Sequence, residues 1–599
     1  MFDALTKIIH LLDKRSKIQF SGLMMLLILK SILDGFGLGM IAPFIAAVTS
    51  PDVIFEHELF MKINTYLEIQ TNQELIVLMS VVLIGFFIMK NIFSLLVIYT
   101  QSRLIFTKRS AQGRKLFEAY LRAPYNYHLK HNTAELDRNI RYESTNAYAF
   151  IQSFLLLCSN ILLTISIFIV LLIVNWEVVL SMGFLIISFS YLFLALSGKY
   201  STQFGMEVQE SQLHIGQAMK EGMASVVEVK LTHLEHFFPA RYYNNMMNNA
   251  RANWRQSTLG VTPTLFFEVL AVSLLAGVII IFSYRKVDIN ALLPMLGLFS
   301  LAIIRLIPSV TVIIKSLQDI RFLTPSVNVV HAVFEYLNGV NGLSNGTHKQ
   351  FSEDFKILSL DKVSFAFPGK KSVNTLNEIS LNVMQGDVIG ITGPSGSGKT
   401  SLINLILGLL EPDKGLISVN DKNIQHNIKS WHYFIGYVPQ SITLIDASIK
   451  ENIGLGLEGD DIDEERVWSV LKETNMVEYV KTLPEKLDTF IGENGMRISG
   501  GQRQRLGLAR ALYRNPQVVI FDEATSALDV ETEKKITKEI MNLSGKRTVI
   551  IVSHRISTIR DCDVIYYLKD GKIVNSGRYE ELRELNAEFN EISKEVENK

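Results

Sequence analysis

Cysteine and net charge are both scarce in this chain of 599 residues. It contains two cysteines, Cys158 and Cys562, and neither has a partner at the spacing of a disulfide or a metal-ligand pair. A reduced setting that faces the cytoplasm is therefore expected. Lysine plus arginine and aspartate plus glutamate each number 59, so the formal net charge is zero. Because no overall positive field would attract nucleic acid, we expect no nucleic-acid partner.

The N-terminal sequence also lacks the pattern of a cleavable signal peptide. Its first apolar run, over about residues 18–48, is much longer than the roughly 7–15 apolar residues of a signal. Hydrophobic residues nevertheless make up 48% of the chain and charged residues 20%. These proportions indicate an apolar part joined to a soluble part.

Six apolar runs are long enough to cross a hydrocarbon core of about 30 Å as helices. They lie at about 18–48, 74–106, 149–175, 177–199, 261–283 and 289–317. The segments 107–148 and 200–260 are long, charged and helical in pattern, and they continue directly from the flanking runs. We expect helices that extend out of the membrane to contact a cytoplasmic partner. An inserted soluble subdomain is the alternative.

The distribution of basic residues predicts the orientation of the membrane part. Segment 101–148 carries nine lysines and arginines against four acids, whereas 49–73 carries only Lys62 against four acids. Because basic loops stay on the cytoplasmic side, both termini and both long segments are predicted to be cytoplasmic. The chain is thus expected to be a multi-pass protein of the cytoplasmic (inner) membrane.

After the last apolar run, the sequence becomes soluble in character. We predict a transmembrane domain over 1–338, a polar linker over 339–350 and a soluble domain over 351–599. Short β-branched runs at 388–392, 518–521 and 548–552 alternate with helical stretches there, which indicates an α/β domain with a largely parallel sheet.

The first of these strands leads into a glycine-rich loop and then a helical pattern, the context of a phosphate-binding loop. The predicted nucleotide-binding residues are Gly393, Pro394, Ser395, Gly396, Ser397, Gly398, Lys399, Thr400 and Ser401. Backbone N–H groups would surround phosphate oxygens, and the helix N-terminus would favour their charge. Lys399 would hold the β- and γ-phosphates of ATP, and Thr400 would bind Mg²⁺.

The apolar run at 518–521 ends in two acids, Asp522 and Glu523. Asp522 would reach the Mg²⁺ ion, directly or through water. Glu523 would polarise the attacking water as the general base of hydrolysis.

Between these two motifs lies the run Ser499, Gly500, Gly501, Gln502. It resembles the signature sequence of ABC ATPases, with Ile498 in place of the usual leucine. Other motifs of that family follow in the expected order, at Phe367 (the aromatic residue that stacks on adenine), Gln440 (Q-loop), Asp529 (D-loop) and His554 (switch histidine). The resemblance implies ATP and Mg²⁺ as cofactors, with Gln440 as a further metal ligand and with Gln440 and His554 as catalytic partners of Glu523.

The same resemblance implies a dimer. In this family the Ser499 and Gly501 amides would cap the γ-phosphate held by the other subunit's phosphate loop. Since one chain has one loop and one signature, two chains are needed. Because every catalytic element is intact, we expect a symmetric homodimer rather than a heterodimer with one inactive site.

Six spans fused to such a domain resemble ABC exporters of the type IV architecture. The expected fold class is therefore an α-helical membrane domain with six transmembrane helices, followed by an α/β P-loop ABC ATPase domain. Residues 489–495 resemble the exporter X-loop, so Glu493 would contact the cytoplasmic extensions. The segments 132–138 and 222–230 are predicted coupling helices.

Charged residues within the spans suggest the substrate. Lys90 and Arg305 each lie about 16 residues into a span, where a charge usually faces an aqueous cavity. Snorkelling to the interface is the alternative for both residues. Lys30 and Asp34 are four residues apart on one helix and would neutralise each other.

Residues 34–50 and 304–309 are similar to bacterial PglK-type flippases of lipid-linked oligosaccharides. That similarity implies an amphipathic polyprenyl-pyrophosphate substrate held by Lys90 and Arg305, together with membrane lipid as a partner. An exporter of peptides, drugs or other lipids such as lipid A is the alternative. A non-transporting channel or regulator is a further alternative, which the intact Glu523 disfavours.

Overall fold

The computed structural model divides into two compact units, Met1–Ser344 and Asn345–Lys599. The boundary falls within the linker predicted over 339–350. The structure describes the following residues: 2–49, 51–55, 61, 64, 69, 71–174, 176–284, 289–341, 354–367, 375–524 and 530–597.

The first unit is helical throughout its described residues. Its helices are α1 (Phe2–Leu11), α2 (Lys14–Gly39), α3 (Ile41–Thr49), α4 (Pro51–Phe55), α5 (Asn72–Leu121), α6 (Tyr125–Lys130), α7 (Thr133–Arg138), α8 (Ser144–Val174), α9 (Trp176–Ala224), α10 (Val226–Thr232), α11 (Phe237–Tyr284) and α12 (Ile289–Asn341). One π-helical turn, Asn139–Glu143, joins α7 to α8.

Four of these helices are about twice as long as a membrane crossing requires. Helices α5, α9, α11 and α12 contain 50, 49, 48 and 53 residues. At about 1.5 Å per residue, each is about 75 Å long, against a hydrocarbon core of about 30 Å. Single helices therefore carry both an apolar run and its charged continuation, as expected of the predicted extensions, whose cytoplasmic location stays a prediction.

Four helical segments among the described residues are apolar enough to cross a membrane: 14–37, 72–121, 133–172 and 183–224. The predicted spans at 261–283 and 289–317 lie in α11 and α12, where many side chains fall outside the described part. The count of six spans therefore stays a prediction.

Close helix packing in this unit depends on small residues. On α9, a Cβ atom at Gly205 would lie 2.1 Å from the backbone oxygen of Phe322 on α12. Only glycine permits this approach. The core beside it joins α2, α5, α8 and α12 through fully buried side chains that include Leu23, Val97, Phe150 and Val327.

The second unit is an α/β domain. Its strands are β1 (Ile357–Phe365), β2 (Leu376–Met384), β3 (Val388–Thr392), β4 (Lys414–Val419), β5 (Lys422–Asn423), β6 (Ile435–Val438), β7 (Val518–Asp522), β8 (Thr548–Val552), β9 (Val564–Lys569) and β10 (Lys572–Gly577). Its helices are α13 (Lys399–Ile406), α14 (Ile428–Phe434), α15 (Ile449–Ile453), α16 (Glu464–Glu473), α17 (Val477–Thr482), α18 (Gly500–Tyr513), α19 (Val530–Met541), α20 (Ile556–Ile559), α21 (Tyr579–Leu585) and α22 (Ala587–Glu597).

The six-stranded sheet has the order β10-β9-β3-β8-β7-β6, and its strands from β9 to β6 are parallel. An antiparallel sheet of four strands accompanies it, in the order β2-β1-β4-β5. The predicted largely parallel sheet is therefore confirmed. Strands β3, β7 and β8 are buried along almost their whole length, which explains their continuous apolar sequences.

Candidate nucleotide-binding and catalytic site

The site lies where three neighbouring parallel strands end. In the register of the sheet, Val552 on β8 pairs with Ile391 on β3 and with Asp522 on β7. The segments that follow these strands therefore leave the sheet at one edge, where ligands of open α/β sheets bind. They are the phosphate loop, the pair Asp522 and Glu523, and the turn with His554.

Two glycines of the phosphate loop are required by its geometry. Gly393 has φ of 149°, and a Cβ atom there would lie 1.9 Å from the backbone oxygen of Leu568. Gly398 has φ of 104° and its Cβ would lie 2.7 Å from Leu376. Such backbone angles favour glycine. The chain thus turns tightly from β3 into α13, which begins at Lys399.

Lys399 folds back into its own loop. Its Nζ donates to the backbone oxygens of Gly393 at 2.8 Å and Pro394 at 3.0 Å. Burial lowers the pKa of Lys399, and the negative charges of Glu523 and Asp522 act in the opposite direction. A cation held over carbonyl oxygens in this way can exchange them for phosphate oxygens, the role that stays a prediction for Lys399.

The remaining loop residues differ in exposure. Pro394, Ser395, Gly396 and Thr400 are exposed, whereas Ser401 is buried within α13. Ser397 is buried, and its hydroxyl has no hydrogen-bond partner among the described residues. An unpaired buried hydroxyl in a glycine loop fits a site that binds phosphate oxygens.

Asp522 has a partner that the sequence analysis did not identify. The hydroxyl of Tyr437 on β6 donates to Asp522 Oδ2 at 3.2 Å. Burial raises the pKa of Asp522, the bond from Tyr437 lowers it, and the charges of Glu523 and Lys399 raise and lower it respectively. The signal available in the sequence is that Tyr437 precedes Gln440 by three residues, at the end of a strand.

The three predicted catalytic residues converge. Gln440 Nε2 donates to Glu523 Oε2 at 2.8 Å, and His554 Nδ1 lies 3.4 Å from Glu523 Oε1. Glu523 itself has φ of 47°, a left-handed conformation that is strained for a non-glycine residue, and its N–H donates to Val552 at 2.8 Å. Such strain is typical of functional sites.

A second contact missed by the sequence analysis supports the turn of His554. Glu533 on α19 pairs with the guanidinium of the next residue, Arg555. The same carboxylate accepts from Ser557 at 2.7 Å and from Thr558 at 3.3 Å. Helix α19 therefore holds the segment after β8 through a buried acid.

The oxygen atoms near Lys399 suit magnesium. Among the described residues, no group of three or more His, Cys, Asp or Glu residues is placed to hold a metal. Mg²⁺ bound with a nucleotide needs only one or two protein oxygens besides phosphate and water. The hydroxyl of Thr400, the carboxylate of Asp522 and the amide oxygen of Gln440 are ligands of the required hard type.

Phe367 lies just beyond the end of β1. Its ring packs edge to face against Phe365 at 5.0 Å between centroids. Thr375 connects this end of β1 to the phosphate loop, because its N–H donates to Phe365 at 2.9 Å and its carbonyl oxygen lies 3.0 Å from a Cβ built at Gly398. This position is consistent with an aromatic platform for adenine.

The signature forms the N-terminus of α18, a helix of 14 residues. Ser499 is its N-cap, and its side chain and that of Gln502 form a capping box. The Ser499 N–H donates to Gln502 Oε1 at 2.8 Å. That amide is therefore engaged within the single chain, whereas Gly500 and Gly501 supply N–H groups of the first helical turn. The role of the signature toward a partner's nucleotide stays a prediction.

Two predicted site residues lie partly or wholly outside the described part of the chain. Asp529 is not described. Arg305 lies within α12, but its side chain is not described. Glu493 is described and exposed in the short turn Glu493–Gly495.

The predicted coupling segments contain short helices. Residues 132–138 comprise α7 and its N-cap Asn132, whose side-chain oxygen accepts from the Ala134 N–H at 3.0 Å. Residues 222–230 cover the end of α9 and most of α10, a helix with no buried residues. Their role as coupling helices stays a prediction.

Lys90 is buried and paired in the membrane unit. Its Nζ lies 2.8 Å from Asp34 Oδ1, with side-chain exposures of 6% and 19%. The predicted pairing of Asp34 with Lys30 is therefore wrong, because a cation on the neighbouring helix α5 contacts the carboxylate. The role of Lys90 in a substrate cavity stays a prediction.

Comparison with known proteins identifies the class. Residues 376–526 match the family model described as ABC transporter. A solved structure, that of a bacterial Atm1-family ABC exporter with ATP bound, superposes with a TM-score of 0.79 over 96% of this chain and 99% of the other, at 20% identity. The chain therefore has the ABC exporter fold, with a helical transmembrane domain followed by an ATPase domain.

Sequence relatives cover only part of this architecture. A multidrug resistance ABC transporter ATP-binding and permease protein of Lactococcus lactis is 39% identical over 228 residues, which is 38% of each chain. ATP-binding cassette sub-family B member 5 of the mouse is 38% identical over 226 residues, 38% of this chain and 18% of the relative. The chain thus matches well under half the length of these relatives.

Proposed function

We propose that this chain is one half of an ATP-driven exporter of the cytoplasmic membrane and works as a homodimer. The observation that supports hydrolysis is the convergence of Gln440 and His554 on Glu523, beside Asp522 and the phosphate loop. The exporter fold supports the coupling of that hydrolysis to transport.

Each residue has a definable task in this proposal. Lys399 would exchange its carbonyl contacts for the β- and γ-phosphates of ATP. Glu523 would accept a proton from water as the water oxygen bonds to the γ-phosphorus and the bond to the β-phosphate breaks. Gln440 and His554 would orient the Glu523 carboxylate. A Mg²⁺ ion at Thr400 and Asp522 would neutralise phosphate charge.

The substrate is proposed to be an amphipathic lipid with an anionic headgroup, most specifically a polyprenyl-pyrophosphate oligosaccharide. Two basic residues within spans, Lys90 and Arg305, support this assignment. A pyrophosphate carries at least two negative charges and must leave bulk water, so cations within the membrane unit would stabilise it. Arginine can also bind phosphate oxygens bidentately, which lysine cannot.

Export of drugs is the second candidate, because the Lactococcus relative is named a multidrug resistance transporter. The alignment covers 228 residues, fewer than the membrane unit alone contains. It therefore cannot include the whole of both units of this chain. The name therefore gives weaker support for a substrate than the charges within the spans.

The two candidates are separated by transport in proteoliposomes. We expect a fluorescent polyprenyl-pyrophosphate sugar to be flipped in an ATP-dependent manner, and amphipathic drugs to cause neither transport nor ATPase stimulation. Arg305→Ala should reduce flipping per ATP hydrolysed by at least about tenfold. Arg305→Lys should recover part of the loss, and Arg305→Gln should not. Normal flipping by Arg305→Ala, or drug transport without lipid flipping, would contradict the anionic-lipid assignment.

A further inference from the structure

The ion pair between Asp34 and Lys90 joins the apolar segments of two helices, α2 and α5. Asp34 is 17 residues along α2 from Lys17, about 25 Å at the helical rise. Lys90 is 18 residues along α5 from Asn72, about 27 Å. Both residues therefore lie more than four helical turns from these starting residues, within the apolar part of their helices.

The surroundings fix Lys90 against α2. The Lys90 stem packs against α2 at Gly37, where a Cβ atom would lie 3.5 Å from Lys90 Cδ and 3.2 Å from the ring of Phe86. The Lys90 ammonium also lies 4.9 Å from the centre of the Phe87 ring. Lys90 is therefore directed at Asp34 by packing as well as by charge.

The two partners are unequally accessible. The Lys90 side chain is 6% exposed, and that of Asp34 is 19% exposed. A buried ammonium is stable only with a counter-charge, and removal of that counter-charge leaves an uncompensated cation. An anion that binds Lys90 would compete with Asp34 for this ammonium, and Asp34 is the more exposed partner of the pair.

We infer that Asp34 is the resting counter-ion of Lys90 and that the anionic headgroup of the substrate binds by displacing it. This inference rests on the proposed anionic lipid substrate. Exchange of one anion for another keeps the ammonium neutralised throughout, so it avoids the desolvation of a bare charge. A neutral or cationic amphiphile cannot make this exchange. Asp34 thereby determines specificity, because a weakly charged ligand competes poorly with this carboxylate for Lys90.

The test measures binding of a fluorescent polyprenyl-pyrophosphate sugar to the full-length protein in nanodiscs. Asp34→Asn keeps the size of the side chain and removes the competing charge. We expect its Kd to be about tenfold lower than that of the wild type. Asp34→Glu, which restores the competing charge, should return the Kd to near the wild-type value. Lys30→Gln is the matched control, since it removes a charge from the same helix outside this pair.

A double variant separates competition from a purely structural ion pair. Asp34→Asn combined with Lys90→Gln has no uncompensated charge, so a structural pair predicts that the fold and probe binding are both restored. Our inference predicts a stable protein that binds the probe at least about tenfold more weakly than the wild type. If Asp34→Asn is unstable alone, the probe should raise its Tm by more than it raises the wild-type Tm, because a ligand stabilises the state that it binds.

Binding of the probe by the wild-type protein distinguishes failure of the proposed substrate from failure of the proposed displacement of Asp34. If the wild-type protein does not bind the lipid-pyrophosphate probe, the proposed substrate is wrong and this inference falls with it. If the wild type binds and Asp34→Asn binds no more tightly, the displacement of Asp34 alone is refuted.

Discussion

At the scale of single residues, Glu523 combines a strained backbone with two side-chain partners. Its left-handed φ of 47° is maintained by the sheet, through the bond from its N–H to Val552. Gln440 and His554 then contact different carboxylate oxygens. Each carboxylate oxygen retains further acceptor capacity, which is what a base needs to bind a water molecule.

Replacement of Glu523 by glutamine should abolish most turnover while leaving nucleotide binding nearly intact. The amide keeps the size of the carboxylate but cannot accept the proton of water. General-base assistance contributes about 10²–10⁴-fold, so we expect steady-state ATPase activity to fall at least about 100-fold. Filter binding of labelled ATP would measure retention of the nucleotide.

Glu531→Gln provides the matched control for this change. Glu531 is exposed on α19 and pairs only with Lys535 one turn along the same helix among the contacts described for it. We expect its ATPase activity to equal that of the wild type. A Glu523→Gln protein with near-normal activity would show that another group serves as the base.

Tyr437→Phe should weaken ATPase activity at low pH in particular. The hydroxyl bond lowers the pKa of Asp522, so its loss should raise that pKa and leave more of the carboxyl protonated as the pH falls. The acid limb of the activity profile should therefore move to higher pH. Loss of one hydrogen bond to an ionised carboxylate corresponds to an effect of at least about tenfold.

The pH profile is compared with that of Tyr433→Phe, which alters an exposed tyrosine on the preceding helix α14. A purely structural role for Tyr437 would lower activity equally at all pH values. An unchanged acid limb in Tyr437→Phe would contradict a positioning role toward Asp522.

At the scale of helices and strands, Gly205 is the clearest test of packing between α9 and α12. A methyl group there would meet the backbone oxygen of Phe322, which cannot rotate away as a side chain could. We expect Gly205→Ala to destabilise the protein by about 3 kcal/mol, at the upper end of overpacking effects. The Tm in detergent, followed by fluorescence-detected size exclusion, should fall accordingly.

Gly85→Ala is the matched control on helix α5. A Cβ atom at Gly85 would meet no atom within 4 Å, so only the helix propensity changes. Alanine is favoured over glycine in a helix interior by about 0.5–1 kcal/mol, and the Tm should therefore rise slightly. Equal effects of the two substitutions would refute tight contact at Gly205.

Local sequence patterns predicted the parts of the site that form within one segment. The strand, loop and helix around Lys399 are contiguous, and so is the strand that ends in Asp522. Contacts between segments were not predictable in this way. Tyr437 reaches Asp522 because β6 and β7 are neighbours in the sheet, and strand order cannot be read from spacing.

The pairing of Asp34 shows the same limit in the membrane unit. A spacing of four residues places Lys30 and Asp34 on one face of a helix, but it does not identify what lies opposite that face. The cation that contacts Asp34 comes from α5, which the chain reaches only after more than 30 further residues. Sequence patterns therefore identified Lys90 as unusual and missed its partner.

At the scale of the whole molecule, the location of the signature relative to the phosphate loop decides whether one chain suffices. The proposed dimer places the signature of one chain over the phosphate loop of the other. Within the chain, α18 presents the first-turn N–H groups of Gly500 and Gly501 at its N-terminus, where helix dipoles favour an anion. An interface between chains would allow that anion to be the γ-phosphate of the partner's ATP.

Two arrangements of the same two substitutions test this dimer. Ser499→Arg obstructs the signature, and Lys399→Ala removes the phosphate-loop cation. In the proposed dimer, each site combines the phosphate loop of one chain with the signature of the other, and we call it a composite site. When the two changes are on different chains of a purified mixed dimer, both therefore fall in one composite site, and the other site is intact. We then expect up to about half of the wild-type ATPase activity. When both changes are on one chain beside a wild-type partner, each composite site carries one lesion, and activity should be nearly abolished. Sites contained within single chains predict the reverse order, so higher activity in the second arrangement would refute the dimeric site.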